Sequence, residues 1–298
     1  MSIETKLCLG SAQFGLDYGI TNKKGKLDFN EVKEILSFAE DCGINYIDTA
    51  QDYGNAENII GRCISTKKNI HIISKLKSNK RLSFSKEDIK ESQSNLEKSL
   101  QNLGVDRLEC LLIHNEQDLY KEGIDLLLEW AAKVKKSGLI EKFGISIYNF
   151  RNISEIKKLN LDVIQIPFSI YDRTNFENGF ISELKRLNLE IYVRSVYLQG
   201  MILTNQNKLP KWINENDYQE HVRFQKQLRK FDITPLQAAI NYVKSIKKID
   251  FAIIGVTSKK ELEELKTTWD LKFDYDLFNK LKLPKMSNYL LDPRKWNQ

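Results

Sequence analysis

The segment Asp48-Thr49-Ala50-Gln51-Asp52-Tyr53-Gly54 places a carboxylate and a phenol within one short stretch, and three later segments carry groups able to complete a site with them. These are Lys75 in Ile72-Ile73-Ser74-Lys75-Leu76, His114 in Leu111-Leu112-Ile113-His114-Asn115, and Gln165 in Val163-Ile164-Gln165-Ile166-Pro167. A carboxylate, a phenol, an amine and an imidazole together can orient and move protons, and a strand-end lysine can also attack a carbonyl to form a Schiff base. Singly, each residue has an ordinary explanation: a surface Asp or Lys, a satisfied core His, or a packed Tyr with its hydroxyl hydrogen-bonded.

What unites them is position. Each of Lys75, His114 and Gln165 ends or follows a short β-branched and aliphatic run, the mark of a buried strand. Eight such runs occur, at 7–9, 44–47, 70–74, 108–113, 142–146, 163–166, 190–193 and 251–254. Between them, 29–41, 56–64, 86–103, 120–137, 153–159, 179–187, 235–246 and 259–266 show apolar spacing of three to four residues, as amphipathic helices do. Helix punctuation agrees: Ser85 with Asp88 forms a capping-box pattern, Gly104 and Gly138 sit where helices end, and Thr234-Pro235 reads as an N-cap followed by proline. Alternating strand and helix favour a parallel (β/α)8 TIM barrel, in which all strand carboxyl ends open onto one face. The rival open nucleotide-binding sheet lacks its phosphate loops, since neither G-x-G-x-x-G nor G-x-x-x-x-G-K-[ST] occurs. Residues 205–230 read as a loop and extra helix after strand seven and 276–281 as a short helix beyond the barrel, with 1–298 forming a single domain.

Composition narrows the function classes. Charged residues are 29% and hydrophobic ones 41%, as in ordinary globular proteins. No apolar run reaches the roughly 18 to 20 residues that span a bilayer, and the start Met1-Ser2-Ile3-Glu4-Thr5-Lys6 lacks a signal-peptide core, which points to the cytoplasm. The net charge of +6 comes from lysines interleaved with glutamates, as along 86–98, which argues for a mixed-charge surface and against nucleic acid. Cys8, Cys42, Cys63 and Cys110 are scattered without CxxC or nearby His, so they read as reduced core thiols, and no metal site is indicated.

The ordered set Asp48-Thr49-Ala50-x-x-Tyr53-Gly54-x-x-Glu57-x-x-x-Gly61, Ile73-Ser74-Lys75, Ile113-His114, Gly144-Ile145-Ser146, Gln165 and Arg194-Ser195-x-x-x-x-Gly200 resembles the aldo-keto reductase superfamily over essentially the whole chain. That resemblance implies hydride transfer between a nicotinamide cofactor, NADPH or NADH, and a carbonyl substrate. It assigns Tyr53 as general acid, Lys75 and Asp48 as its electrostatic support, and His114 as the group that directs the carbonyl oxygen. The chemistry is coherent, because a free phenol near pKa 10 is a reluctant proton donor and a neighbouring ammonium lowers that value. Glu57 and Gly61 read as structural, as helix-start charge and close packing; His71 and His221 match no motif.

The resemblance further implies a cofactor site made of Gly10, Ser11, Asp48, Ser146, Gln165, Arg194, Ser195, Gly200, Gly255, Thr257, Ser258 and Glu261. Ser146 and Gln165 match positions that bond the carboxamide, Ser195 and Gly200 the pyrophosphate loop, and Gly255 to Ser258 the adenosine end. The chain departs from the common pattern at Ile147, usually Asn, and at Arg194, usually an aromatic that stacks on the nicotinamide. It departs again at Lys77 and Asn115, which are Trp in several greasy-pocket members and are here expected to meet substrate. A polar carbonyl substrate follows, such as a sugar or nucleotide-linked sugar. The opening stretch from Leu9 to Ile20 also resembles a bacterial subgroup associated with surface-sugar biosynthesis. Two alternatives stand beside this reading: a nicotinamide-binding redox sensor or regulatory subunit with little turnover, and a Schiff-base lyase using Lys75.

Overall fold

The computed structural model describes residues 4–64, 69–148 and 153–296. The opening Met1-Ser2-Ile3 weighed above lies outside these residues, as do the last two of the chain. Eight parallel strands close into a barrel in sequence order: β1 Lys6–Gly10, β2 Tyr46–Asp48, β3 His71–Lys75, β4 Leu108–Ile113, β5 Ile140–Ser146, β6 Val163–Pro167, β7 Glu190–Arg194 and β8 Phe251–Gly255. β1 pairs with β8, with Gly10 opposite Gly255, so no strand edge stays open.

The strands have two faces because side chains alternate with a period of two. One set packs inside the barrel: Cys8, Ile73, Cys110, Leu112, Val163, Tyr192, Phe251 and Ile253. The alternate set, including Leu9, Ile47, Ile72, Leu111, Ile113, Ile164 and Ile191, packs under the helices. Continuing the inward set by two residues brings each strand to its carboxyl end at Gly10, Asp48, Lys75, His114, Ser146, Gln165, Arg194 and Gly255. All eight belong to the site expected from sequence. Their convergence follows from the pleat.

Helices Phe29–Asp41, Ala56–Ile64 and Lys86–Leu103 have the expected limits, and capping boxes start the helices after Asp28, Ser85 and Thr234. Gly61 lets helix 56–64 approach helix 86–103 so closely that a Cβ there would stand 2.0 Å from Asn102 O. Some limits differ. β2 begins at Tyr46 rather than Ile44, because Gly43 turns at φ +72° and Ile44 N donates back to Ala39 O, closing the preceding helix. The expected helix 120–137 is a 3-10 turn, Glu116–Tyr120, and a helix, Ile124–Lys136, separated at Gly123, φ +79°. Short helices at Ala12–Gly15 and Thr174–Glu177 carried no sequence signal of their own.

The piece after β7 contains a 3-10 turn, Gln206–Lys208, and helix Glu215–Lys230, as expected. Buried His221 pins this helix. Its Nε2 faces Thr204 O at 3.0 Å and so must donate, which leaves Nδ1 to accept from Tyr171 Oη at 2.8 Å. The carboxyl-terminal segment lies across the same helix through Arg223 to Lys282 O and Ser287 to Asp217, then runs to the barrel mouth. Among the described residues no helix is long and apolar enough to cross a membrane, and no cluster of His, Cys, Asp or Glu could hold a metal ion.

Candidate active site

Five of the inward residues at the strand ends form one hydrogen-bonded chain. Lys75 Nζ, 1% exposed, donates to Asp48 Oδ1 at 2.6 Å and to Thr49 O at 2.8 Å. Gln165 Nε2 donates to the other oxygen of Asp48 at 2.8 Å, and Ser146 Oγ donates to Gln165 Oε1 at 2.9 Å. Arg194 closes the series, with Nε on Ser146 Oγ and Nη2 on Ile147 O, each at 3.3 Å. A buried ammonium is tolerable only with such a partner. Burial alone would pull Lys75 down, but Asp48 and Tyr53 outweigh it and hold the amine above its usual value, protonated.

Tyr53 stands over this cation, with Lys75 Nζ 5.0 Å from its ring centroid. Its loop is held by close backbone contact. A Cβ on Gly15 would meet Tyr53 O at 1.8 Å, and Gly54 turns at φ +57° against Gly15 O. The phenol itself departs from expectation. Burial pushes the Tyr53 hydroxyl up, and Asp48 adds to that; Lys75 and Arg194 pull the other way without cancelling it. Lys75 therefore acts in the expected direction, but the net value lies above that of a free phenol because the site is dry.

His114 packs edge-on against Tyr53, with ring centroids 5.8 Å apart at 78°. Its buried Nδ1 lies 3.4 Å from Asp52 Oδ2, an ion-pair distance that falls short of hydrogen-bond geometry. Asp52 also accepts from Ser78 N and Oγ, and His114 is the main cause holding its carboxyl below the usual range. Asp52 was missed in the sequence; its only signal was a second carboxylate beside Tyr53. Below the tetrad of Asp48, Tyr53, Lys75 and His114 expected from the sequence, buried Glu57 accepts from Ser74 Oγ and Ser99 Oγ, tying the end of β3 to helix 86–103. Its role is thus structural, though through a buried bridge more than through helix-start charge.

A cleft of ≈ 440 Å³ opens beside Tyr53 and runs to the start of helix Lys259–Asp270. Gly10, Ser11, Asp48, Arg194, Ser195, Gly200, Gly255, Thr257 and Glu261 all line it, which brings together most of the expected cofactor set. Ser146 and Gln165 stand behind this lining, bonded to each other. Ser258 caps the helix, accepting from Glu261 N, while the Glu261 carboxylate accepts from Thr257 N and Oγ1 at 2.7 and 2.8 Å. The 195–200 loop is strained, with positive φ at Ser195, Leu198, Gln199 and Gly200.

The cleft also tests whether a dinucleotide fits. Ser11 Oγ, Gln13 Oε1, Tyr197 Oη and Gln199 Oε1 are buried without a hydrogen-bond partner among the described residues, and all four residues line the cleft. Each such atom costs about 1–3 kcal/mol unless a ligand satisfies it. A polar, extended ligand rich in hydroxyl and phosphate groups fits that pattern. Lys77 and Asn115 fall outside this cleft. Lys77 is exposed and lines a separate cavity of ≈ 300 Å³ with Ser78 and Arg81, and Asn115 accepts from Gln117 N to cap the 3-10 turn.

Comparison with known proteins agrees with this geometry: the profile of the Aldo/keto reductase family matches residues 6–283. The chain belongs to the aldo/keto reductase family. It is an oxidoreductase-family barrel, 25% identical over 254 residues to the uncharacterised oxidoreductase YqkF of Bacillus subtilis (strain 168), covering 79% of this chain and 81% of that one. To the NADH-specific methylglyoxal reductase of Escherichia coli (strain K12) it is 27% identical over 200 residues, 60% of each chain. Among solved structures, the holo form of aldo-keto reductase AKR11C1 from Bacillus halodurans superposes with a TM-score of 0.76 at 19% identity, over 96% of this chain and 95% of that one, a likeness of fold.

Proposed function

We propose that this aldo/keto reductase-family chain reduces the aldehyde or ketone of a polar substrate to an alcohol, using NADH or NADPH, with Tyr53 as general acid. The observation that carries this reading is Lys75: a buried ammonium fixed by Asp48, set beside the Tyr53 phenol on a cleft with unsatisfied polar walls. The hydride would come from the nicotinamide of a bound dinucleotide, held by Ser11, Gln13, Tyr197, Gln199 and the 195–200 loop. Tyr53 gives its proton to the developing alkoxide, Lys75 stabilises the phenolate that remains, and Asp48 keeps Lys75 charged. His114, braced by Asp52, orients the carbonyl oxygen. A Schiff base on Lys75 is disfavoured, because that chemistry needs an accessible, neutral amine.

For cofactor choice, the far end of the cleft is lined by Glu261 and Glu264. Carboxylates there repel the roughly two negative charges of a 2′-phosphate but can accept from ribose hydroxyls. Lys259 and Lys260 lie beside them, and Lys259 is turned 3.7 Å from Glu263. NADH is therefore expected to serve at least as well as NADPH, in line with the name of the Escherichia coli relative. A fluorescence titration with both nucleotides, followed by a carbonyl panel, tests the reading. Saturable binding with turnover supports it. Binding without turnover on any carbonyl would favour the sensor alternative, and no binding would overturn the site.

A further inference from the structure

The guanidinium of Arg194 is held without a counter-charge. Two neighbouring cations do have one: Lys75 pairs with Asp48, and Arg294 pairs with Asp292 and Glu116. Among the described residues no carboxylate is in ion-pair contact with Arg194. Its partners are neutral, Ser146 Oγ and Ile147 O, and one face is covered by the Tyr148 ring, 4.1 Å from its carbon centre. Asp172 feels it only at longer range, its carboxyl being raised by burial and eased by Thr174, Arg173 and Arg194. Lys75 and Asp48 answer each other, so Arg194 brings to the Tyr53 side of the cleft a positive charge that no carboxylate contacts.

A guanidinium has five N–H donors, and two are used here, which leaves three. They belong to a planar fork whose geometry suits two oxygens of one carboxylate or phosphate. The fork is already oriented by two hydrogen bonds and an aromatic face, so little freedom remains to be lost on binding. Tyr18 and Tyr148 stand around it beside Tyr53, close enough that each of the latter two raises the Tyr18 hydroxyl, after burial, while Arg194 lowers it. The group that would compensate Arg194 must therefore come from outside the protein, next to the acid.

We infer that Arg194 forms an anion subsite for the substrate, so that the preferred carbonyl compound carries a carboxylate or phosphate that docks on its guanidinium while the carbonyl oxygen faces Tyr53. This rests on the carbonyl-reduction reading above and names its substrate class. Stacking of the open guanidinium face on a nicotinamide is compatible, because the anion takes the edge.

Two matched pairs test it with the full chain and NADH: succinate semialdehyde against methyl 4-oxobutanoate, and glyceraldehyde 3-phosphate against glyceraldehyde. The readout is the ratio of kcat/KM, anionic over neutral, so a general loss of rate in a variant does not enter. One added charge-assisted contact predicts a ratio on the order of 10 to 100 in at least one pair, and the pair that shows it identifies carboxylate or phosphate. In Arg194→Met the ratio should fall to near one; in Arg194→Lys it should keep part of its value. Ratios near one for both pairs in the unaltered protein, or a preference that survives Arg194→Met, would overturn the subsite. If no carbonyl is turned over, the reductase reading fails, and calorimetry with succinate and inorganic phosphate decides the subsite alone. Binding lost in Arg194→Gln would uphold it, and no binding to the unaltered protein would end it.

Discussion

The two ends of the barrel hold similar polar groups and use them differently. At the amino-terminal end, Lys142 sits between Glu109 and Glu190, His71 Nδ1 meets Glu109 at 3.0 Å, and Tyr192 Oη donates to Glu190 at 2.9 Å. Tyr46 stacks on His71, and Lys6 lies over Tyr46 and Phe251. Each of these charges has an ionic or aromatic partner. At the carboxyl-terminal end, among the described residues, Ser11 Oγ, Thr49 Oγ1 and His114 Nδ1 are buried without a hydrogen bond, and Arg194 lacks a counter-ion. A satisfied network closes and stabilises one end; an unsatisfied one holds groups ready for a ligand at the other. His71, which matched no motif, belongs to the first kind.

The comparison can be broken from either side. The largest effect is expected at the mouth. Lys75→Met removes the cation that supports the Tyr53 phenolate, and turnover should fall on the order of 10²-fold or more while nucleotide affinity changes little. Paired kinetics and fluorescence titration check this, and a variant with near-normal turnover would remove Lys75 from the tetrad.

Lys142→Met should do the reverse. It leaves two carboxylates facing each other and should cost about 1–3 kcal/mol in denaturant unfolding, between the limits for exposed and buried pairs, with activity per folded molecule unchanged. pH sharpens this. Glu109 would be raised by burial, but Lys142 and then His71 outweigh that and hold it below the usual range. A depressed carboxyl stabilises fully above an unfolded pKa of about 4.3 and loses this as pH falls through its lower folded value. Lys142 is displaced upward, chiefly by Glu190 and Glu109 against burial, so its contribution is full below about 10.4 and is lost only above that. The contribution of this ion pair should therefore be flat between these limits and fall in acid, and the variant should lose that part of the acid dependence.

The smallest effect is expected at the far end of the cleft. Glu261→Arg should shift preference toward NADPH, on the order of tenfold in relative affinity, while losing the bonds to Thr257 N and Oγ1 and a little helix stability. A protein that binds NADPH more than tenfold tighter than NADH before any change would show that Glu261 serves only to cap its helix.

The eight strands were legible because their inward and outward residues are both apolar, and the helices because Ser85 with Asp88 and Thr234 with Pro235 mark their starts. Asp48, Lys75 and His114 were legible because each ends or follows a recognisable run, and Tyr53 because it stands in the motif that Asp48 opens. What could not be read is what depends on the chain returning from afar. Arg294 reaches Glu116 and lies 3.7 Å over Tyr148, and Asp52 meets His114; no local pattern announces either. Gly123 separated a helix that periodicity ran together, since a Cβ there would stand 2.3 Å from Phe84 O, a contact set by tertiary packing. The raised Tyr53 hydroxyl is of the same kind. The cation beside it was foreseen, but burial, which outweighs it, is a property of the closed barrel.

The central claim is that Tyr53 is the proton donor of a carbonyl reduction. It is tested most directly by single-turnover oxidation of bound NADH with a carbonyl substrate in Tyr53→Phe. Nucleotide binding should be retained while the rate of NADH oxidation falls on the order of 10²-fold or more; a rate within a few-fold of the unaltered protein, with the nucleotide bound, would contradict it.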